Sequence, residues 1–175
     1  MTHLTEAGAI EKMRHIWWNV RPHPVYGTVE VRACDVQMSL RRTAMIVALS
    51  QALIVAYGDR HAAGEAEVPL ERAYLEDSRF KGMRFGLDAD VVDAETSEVM
   101  PMRELVRTMV RFAGDAAARL GTEHYLSEVE VVLEKGNGAT EQRRLAAEVG
   151  GDLHEVQRRL LVAAREHIAN PDLPL

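Results

Sequence analysis

Apolar and polar residues alternate over one clear stretch of the chain. From Thr28 the order Thr-Val-Glu-Val-Arg-Ala-Cys-Asp puts Val29 and Val31 on one side of an extended strand and Glu30 and Arg32 on the other, because side chains two positions apart share a face. The valines are expected to look into a core. A second strand is possible around His15 to Val20, and a third, shorter one at Val91 to Asp93. The rest reads at helical period. Residues 39–57 are apolar around most of the circumference, as in a helix buried on several sides, with Gly58 as its stop signal. Pro69 through Asp77 is a shorter helical candidate with Pro in its first turn. An apolar stripe from Met102 to Leu120 recurs at helical spacing and ends at Gly121. Thr122 is placed to cap a helix whose inward face is Tyr125, Leu126, Val129, Val132 and Leu133, closing at Gly136. Thr140 to Val149 is the next helix. Asp152 can cap the last, with Leu153, Val156, Leu160 and Ile168 inward. The tail from Asn170 holds two prolines and is expected to be loose.

This pattern predicts an α+β fold, mostly helical, with a small antiparallel sheet backed by a helical bundle. One domain is expected over residues 1–169, with a strand block at 15–36 and a helical part at 39–168, followed by the loose tail 170–175. A single hairpin is marginal without sheet neighbours. Either two or three strands suffice as a small α+β domain, or strands from another segment complete the sheet. In the second case the exposed edge would be a pairing or aggregation site.

Composition sets bounds and supplies no chemistry. At 175 residues, with 47% hydrophobic and 27% charged residues, the chain is an ordinary globular composition and long enough to bury about two-thirds of its unfolded surface. A formal charge of −6 argues against a nucleic-acid surface, which needs a basic stripe. The single Cys34 cannot form an internal disulfide, which fits a reducing cytoplasm; it is expected to be a small buried hydrophobe. The first residues carry no basic region followed by an apolar stretch, so no signal peptide is expected. The longest apolar run, Ala44 to Tyr57, is interrupted by Ser50 and Gln51 and is too short for a bilayer.

The chemistry concentrates at Glu30 and Arg32. A carboxylate beside a permanent cation on one strand face is either a solvated ion pair or equipment for a metal-bound phosphate, since oxygen ligands suit Mg²⁺ and Arg forks onto phosphate oxygens. Other routes are missing. There is no Gly-x-x-x-x-Gly-Lys-Ser/Thr loop and no His-x-x-x-His spacing on a plausible helix, which removes the P-loop and an autonomous zinc site. His23, between two prolines, reads as a turn residue, and Lys135-Gly136-Asn137-Gly138 as a helix connection.

The run around that pair adds more. Ile16-Trp17-Trp18-Asn19-Val20-Arg21-Pro22-His23-Pro24, then Tyr26 to Arg32, with Asp35 after, resembles the carboxylate-amine ligases of the glutamate–cysteine ligase type. The resemblance continues through Arg79-Phe80-Lys81-Gly82-Met83-Arg84-Phe85-Gly86-Leu87-Asp88-Ala89 and reaches Gly138-Ala139-Thr140-Glu141-Gln142-Arg143. The first block is highly specific, the second less so, and the third weak by itself. Ser78 and Phe80 stand where the family usually has Asn-x-Trp. Members of the family are much longer, and this chain matches only their C-terminal half.

The resemblance implies half of a glutamine-synthetase-like architecture, in which an antiparallel sheet floors the active site. It implies ATP-dependent activation of a carboxylate as an acyl phosphate, attacked by an amine, with ATP and Mg²⁺ as cofactors. Glu30 would be a Mg²⁺ ligand and Arg32 would contact the transferred phosphoryl group. Arg21 would bind phosphate or substrate carboxylate, unless it only stabilises the turn. Arg84 would face the nucleotide, and Thr28 would offer a hydroxyl or serve only as a strand former. Asp35 would orient Arg32 or cap the following helix. Gln142 and Arg143 match a family feature but read equally as solvated surface. The expected partners are the missing N-terminal half or a complementary subunit, amino-acid substrates and a second copy of the chain; neither nucleic acid nor membrane is expected. The alternative is a non-catalytic helical interaction domain that pairs with another chain.

Overall fold

A computed structural model describes residues 2–12, 15–65 and 71–170. The fold is α+β and mostly helical, with two small antiparallel sheets among the described residues. The chain forms two compact units, Met1–Val36 and Gln37–Leu175.

In the first unit, the short helix α1 (Thr2–Glu6) precedes a hairpin of β1 (Val20–His23) and β2 (Thr28–Val31). The pairing is antiparallel, with Val20 opposite Val31, Arg21 opposite Glu30, Pro22 opposite Val29 and His23 opposite Thr28. The connection turns at Gly27, whose φ of 61° lies where a Cβ is disfavoured. The first strand therefore starts where the expected one, His15 to Val20, was to end. The second is shorter than Thr28 to Asp35. Val29 and Val31 are 50% and 40% exposed, so the expectation that they face a core is corrected. Two four-residue strands leave their apolar face uncovered.

The second unit is built on α2 (Leu40–Ala62), which packs mainly on α4 (Met102–Leu120) and α5 (Glu123–Lys135). Ser39 is extended and its side chain accepts the Arg42 N–H, so Ser39 rather than Asp35 caps this helix. Ala48, Ala52 and Ala56 recur every four residues and meet Ala113, Ala116 and Ala117 of α4, with Leu126 of α5 closing the cluster. Alanines at that spacing let two helix backbones approach closely, which explains an apolar core with so little side-chain bulk. Met45, Val129 and Leu133 form a second cluster.

Helix α2 does not stop at Gly58. Asp59 pairs with Arg119, and the Arg60 guanidinium lies 5.6 Å from the Phe112 ring centre. These contacts with α4 offset the cost of a helical glycine, about 1 kcal/mol. At 23 residues α2 is long and apolar enough to cross a membrane by length and composition alone, beyond the Ala44 to Tyr57 run. Its contacts with α4 and α5 bury one face, with Arg42, Met45, Ala48, Ala52 and Ala56. Val47, Ile54 and Tyr57 are exposed, so the expectation of a helix buried on several sides is corrected.

Helix α3 (Arg72–Phe85) also outlasts its expected end at Asp77; Pro69 lies outside the described residues. Gly82 is the only weak helix former in the added stretch, and a Cβ there would stand 3.3 Å from the Met102 side chain. A 3-10 turn at Gly86–Asp88 leads to β3 (Asp90–Val92), paired antiparallel with β4 (Val99–Pro101). The chain closes with α6 (Gly138–Glu148) and α7 (Leu153–Ala169). Asp152 caps α7 by accepting the N–H groups of His154 and Glu155 at 3.0 and 3.2 Å. Thr122 makes no such cap; its hydroxyl donates instead to the Ala117 carbonyl. In α7 the buried residues are Val156 and His167, whereas Leu153 and Ile168 are exposed. Residues 171–175 of the expected loose tail lie outside the described residues.

Candidate functional site

Antiparallel strands put directly opposed residues on one face, so the hairpin register sorts its side chains. Arg21, His23, Thr28 and Glu30 share a face, with Arg32 continuing it beyond Val31; Val20, Pro22, Val29 and Val31 make the other. One face is polar and the other apolar.

Glu30 is the centre of the polar face. Its Oε2 accepts from Arg21 Nε at 2.8 Å, and its Oε1 accepts from Arg32 Nη1 at 3.2 Å. Each oxygen thus takes a guanidinium from a different strand segment. Arg21 also donates to the Ile16 carbonyl at 3.4 Å and is 16% exposed, which fixes it at the strand entry. The Arg32 guanidinium lies 5.3 Å from the centre of the Trp17 ring, a cation–π geometry, and the Arg32 N–H donates to the Asn19 carbonyl at 2.7 Å. Trp17 itself is 79% exposed. Two cations around one carboxylate leave the cluster with a net positive charge, which suits an anion of phosphate type. Thr28 is exposed on the same face, and His23 stacks on Tyr26 with ring centres 4.5 Å apart.

The structure therefore brings together Arg21, Glu30 and Arg32, with Thr28 on their face. Arg84 belongs to the other unit; it stands in the last turn of α3, exposed, with its guanidinium 5.5 Å from the Phe85 ring centre. Ser78, in the place of the family's Asn, accepts the Val92 N–H on its hydroxyl at 3.2 Å and ties α3 to β3. Gln142 and Arg143 are exposed on α6. Their neighbour Glu141 pairs instead with the buried Arg42 at 3.4 Å. Cys34 is exposed, which corrects the expectation of a buried thiol: the strand ends at Val31, so nothing turns its side chain inward. The role of Trp17 was not legible in the sequence, because it depends on the arginine's direction after the strand ends.

Mg²⁺ needs six oxygen ligands. Among the described residues no group of three or more His, Cys, Asp or Glu is arranged to hold a metal. Glu30 fits as one ligand of such an ion, and the two arginines fit a phosphate. The residues present do not make a whole metal site.

Comparison with known proteins bears on the same residues. The family model described as glutamate–cysteine ligase family 2 matches residues 1–163. A candidate glutamate–cysteine ligase 2 of Gloeobacter violaceus is 36% identical over 142 residues, covering 81% of this chain and 38% of that protein. Its counterpart in Solibacter usitatus is 32% identical, covering 87% of this chain and 40% of the relative. One from Frankia casuarinae is 33% identical, covering 92% and 42%. The chain spans about two-fifths of the length of these relatives.

Proposed function

Because the chain belongs to glutamate–cysteine ligase family 2, we propose that it supplies the phosphate-binding part of an ATP-dependent carboxylate-amine ligase. The observation that carries this reading is the Arg21–Glu30–Arg32 cluster on one face of a hairpin. Such a ligase joins a carboxylate, of the γ-glutamyl type, to an amine through an acyl phosphate. ATP supplies the phosphoryl group, and Mg²⁺ offsets the charge on its oxygens.

Each residue then has a task. Arg32, positioned over Trp17, stabilises charge on the transferred phosphoryl group. Arg21, anchored to the Ile16 carbonyl, holds the substrate carboxylate or a phosphate oxygen. Glu30 keeps both guanidiniums aligned and serves as one Mg²⁺ ligand. Thr28, on the same hairpin face, offers its hydroxyl to the nucleotide.

One carboxylate cannot complete the site. The remaining acidic ligands come from chain corresponding to the rest of the relatives' length, either in the same polypeptide or as a separate subunit. Strands from that portion also cover the apolar face of the hairpin and complete a glutamine-synthetase-like sheet. The reaction places the assembly in the cytoplasm, where ATP and amino acids are available.

The test is ADP release in the presence of Mg²⁺, glutamate and an amine such as cysteine. The chain is assayed alone and joined to the N-terminal portion of the Gloeobacter violaceus relative. Glutamate-dependent ADP release is expected only from the joined protein. It should fall by about 3–5 powers of ten in Arg32→Ala, if the arginine acts as a phosphoryl clamp does elsewhere. A folded joined protein with no turnover supports a non-catalytic interaction domain instead.

A further inference from the structure

A cavity of about 540 Å³ lies wholly within the second unit, between the end of α2, the start of α3, the β3–β4 connection and α4. That size is in the range of small-molecule sites. Its apolar walls come from Leu75, Val92, Leu105 and Met109, and two aromatic rings, Tyr57 and Tyr74, stand beside them. The first block of family-like residues has no part in it.

The polar residues at the cavity decide the ligand's charge. Glu65, Asp93 and Glu95 bring three carboxylates, against Arg60 and His61 as the basic side chains. The lining is negative whether or not His61 is protonated. Arg60 is also committed: its Nε donates to Glu65 at 2.9 Å and its Nη1 to Glu95 at 2.7 Å. An incoming anion would have to break that bridge and then meet the acids it released. A cation instead meets two carboxylates that share a single guanidinium and so keep a net negative charge.

The acidic wall is held rigidly. Asp93 is 8% exposed; its carboxylate accepts the Glu95 N–H at 2.9 Å and the Thr96 hydroxyl at 3.2 Å. Ser97, with φ of 59°, donates its N–H to the Asp93 carbonyl at 2.8 Å and tightens the same turn. Burial, reinforced by the Glu95 charge, raises the Tyr57 phenol above its ordinary value. Its ring stands among the lining residues and adds to the attraction for a cation.

We propose that this cavity binds a primary amine with an aromatic or branched apolar body, the body against Leu105 and Met109 and the ammonium at Glu95 and Glu65. The site stands independently of the ligase reading and requires no other chain.

The probe is 2-phenylethylamine, titrated calorimetrically into the 175-residue chain, beside the neutral 2-phenylethanol and the anionic 3-phenylpropionate. Saturable amine binding is expected, with the alcohol about tenfold weaker, equivalent to about 1.4 kcal/mol, and no propionate binding. Glu95→Gln should weaken the amine towards the alcohol, while Arg60 stays paired with Glu65. Leu75→Trp, at a wall position 47% exposed, should narrow the space and weaken amine binding while leaving the helical circular dichroism unchanged. The proposal is overturned if the amine fails to bind. It is equally overturned if amine and alcohol bind alike, or if neither substitution alters amine affinity.

Discussion

Glu30 and Arg21 stand directly opposite each other in the β1–β2 register, joined at 2.8 Å, while Arg32 reaches the other oxygen of the same carboxylate at 3.2 Å. Glu30 is 45% exposed and Arg32 28% exposed, so water screens the pairs and their contribution to folding is small. Glu30→Ala and Arg32→Ala should each change the unfolding free energy by no more than about 1 kcal/mol, measured by urea denaturation. Larger losses from both would make the cluster structural.

The buried pair behaves differently. Arg42 and Glu128 have side chains 6% and 5% exposed, and Arg41 and Glu141 extend the network across α2, α5 and α6. Removing Arg42 leaves the buried Glu128 with Arg41 alone, at 2.9 Å, and Glu141 without that pair. Arg42→Met should therefore cost about 1–3 kcal/mol, and adding Glu128→Leu should recover much of it. Equal losses in the single and double variants would contradict this.

Two glycines test the backbone. Gly136 ends α5 with φ of 99°, and a Cβ there would lie 2.7 Å from Thr140 Cγ2. Gly136→Ala should destabilise by about 1–3 kcal/mol. Gly114 lies inside α4 with nothing within 4 Å of a built Cβ. Gly114→Ala should stabilise by up to about 1 kcal/mol. Chemical denaturation of the two variants should move in opposite directions.

Acid should loosen the start of α7. Bonds from Arg158 first, then Arg159, hold the Glu155 carboxyl at about 2, below its ordinary 4.5. A lowered folded value means the stabilisation is present above pH 4.5 and is lost as pH falls towards 2. Glu155→Gln should flatten the dependence of Tm on pH over that window. An unchanged slope would remove Glu155 as its source.

Local signals in the sequence carried most of the fold. The stripe of α4, its left-handed end at Gly121 with φ of 70° and the Asp152 cap each depend on a few neighbouring residues. What failed depended on partners distant in sequence. Val29 and Val31 alternate like buried residues, yet they are 50% and 40% exposed; the alternation records a face and not what lies against it. Gly58 and Asp77 read as helix ends, but Asp59, Arg60 and Ser78 find tertiary partners that carry α2 and α3 onward. In the candidate site, Glu30 and Arg32 were legible as same-face neighbours. The Arg21 contact was not, because it depends on a register set by the turn between Pro24 and Gly27. The cavity beside Tyr57 was not legible either, since four separate elements line it.

Under the proposed function, this chain's cationic hairpin is part of an ATP site completed by further chain. Calorimetric titration of Mg·ATP tests it most directly, into the chain alone and into the chain mixed with the N-terminal portion of the Gloeobacter violaceus relative. Binding that appears only in the mixture and disappears in Arg32→Ala is the predicted result. No binding in the mixture, with both parts folded and associated, would contradict it.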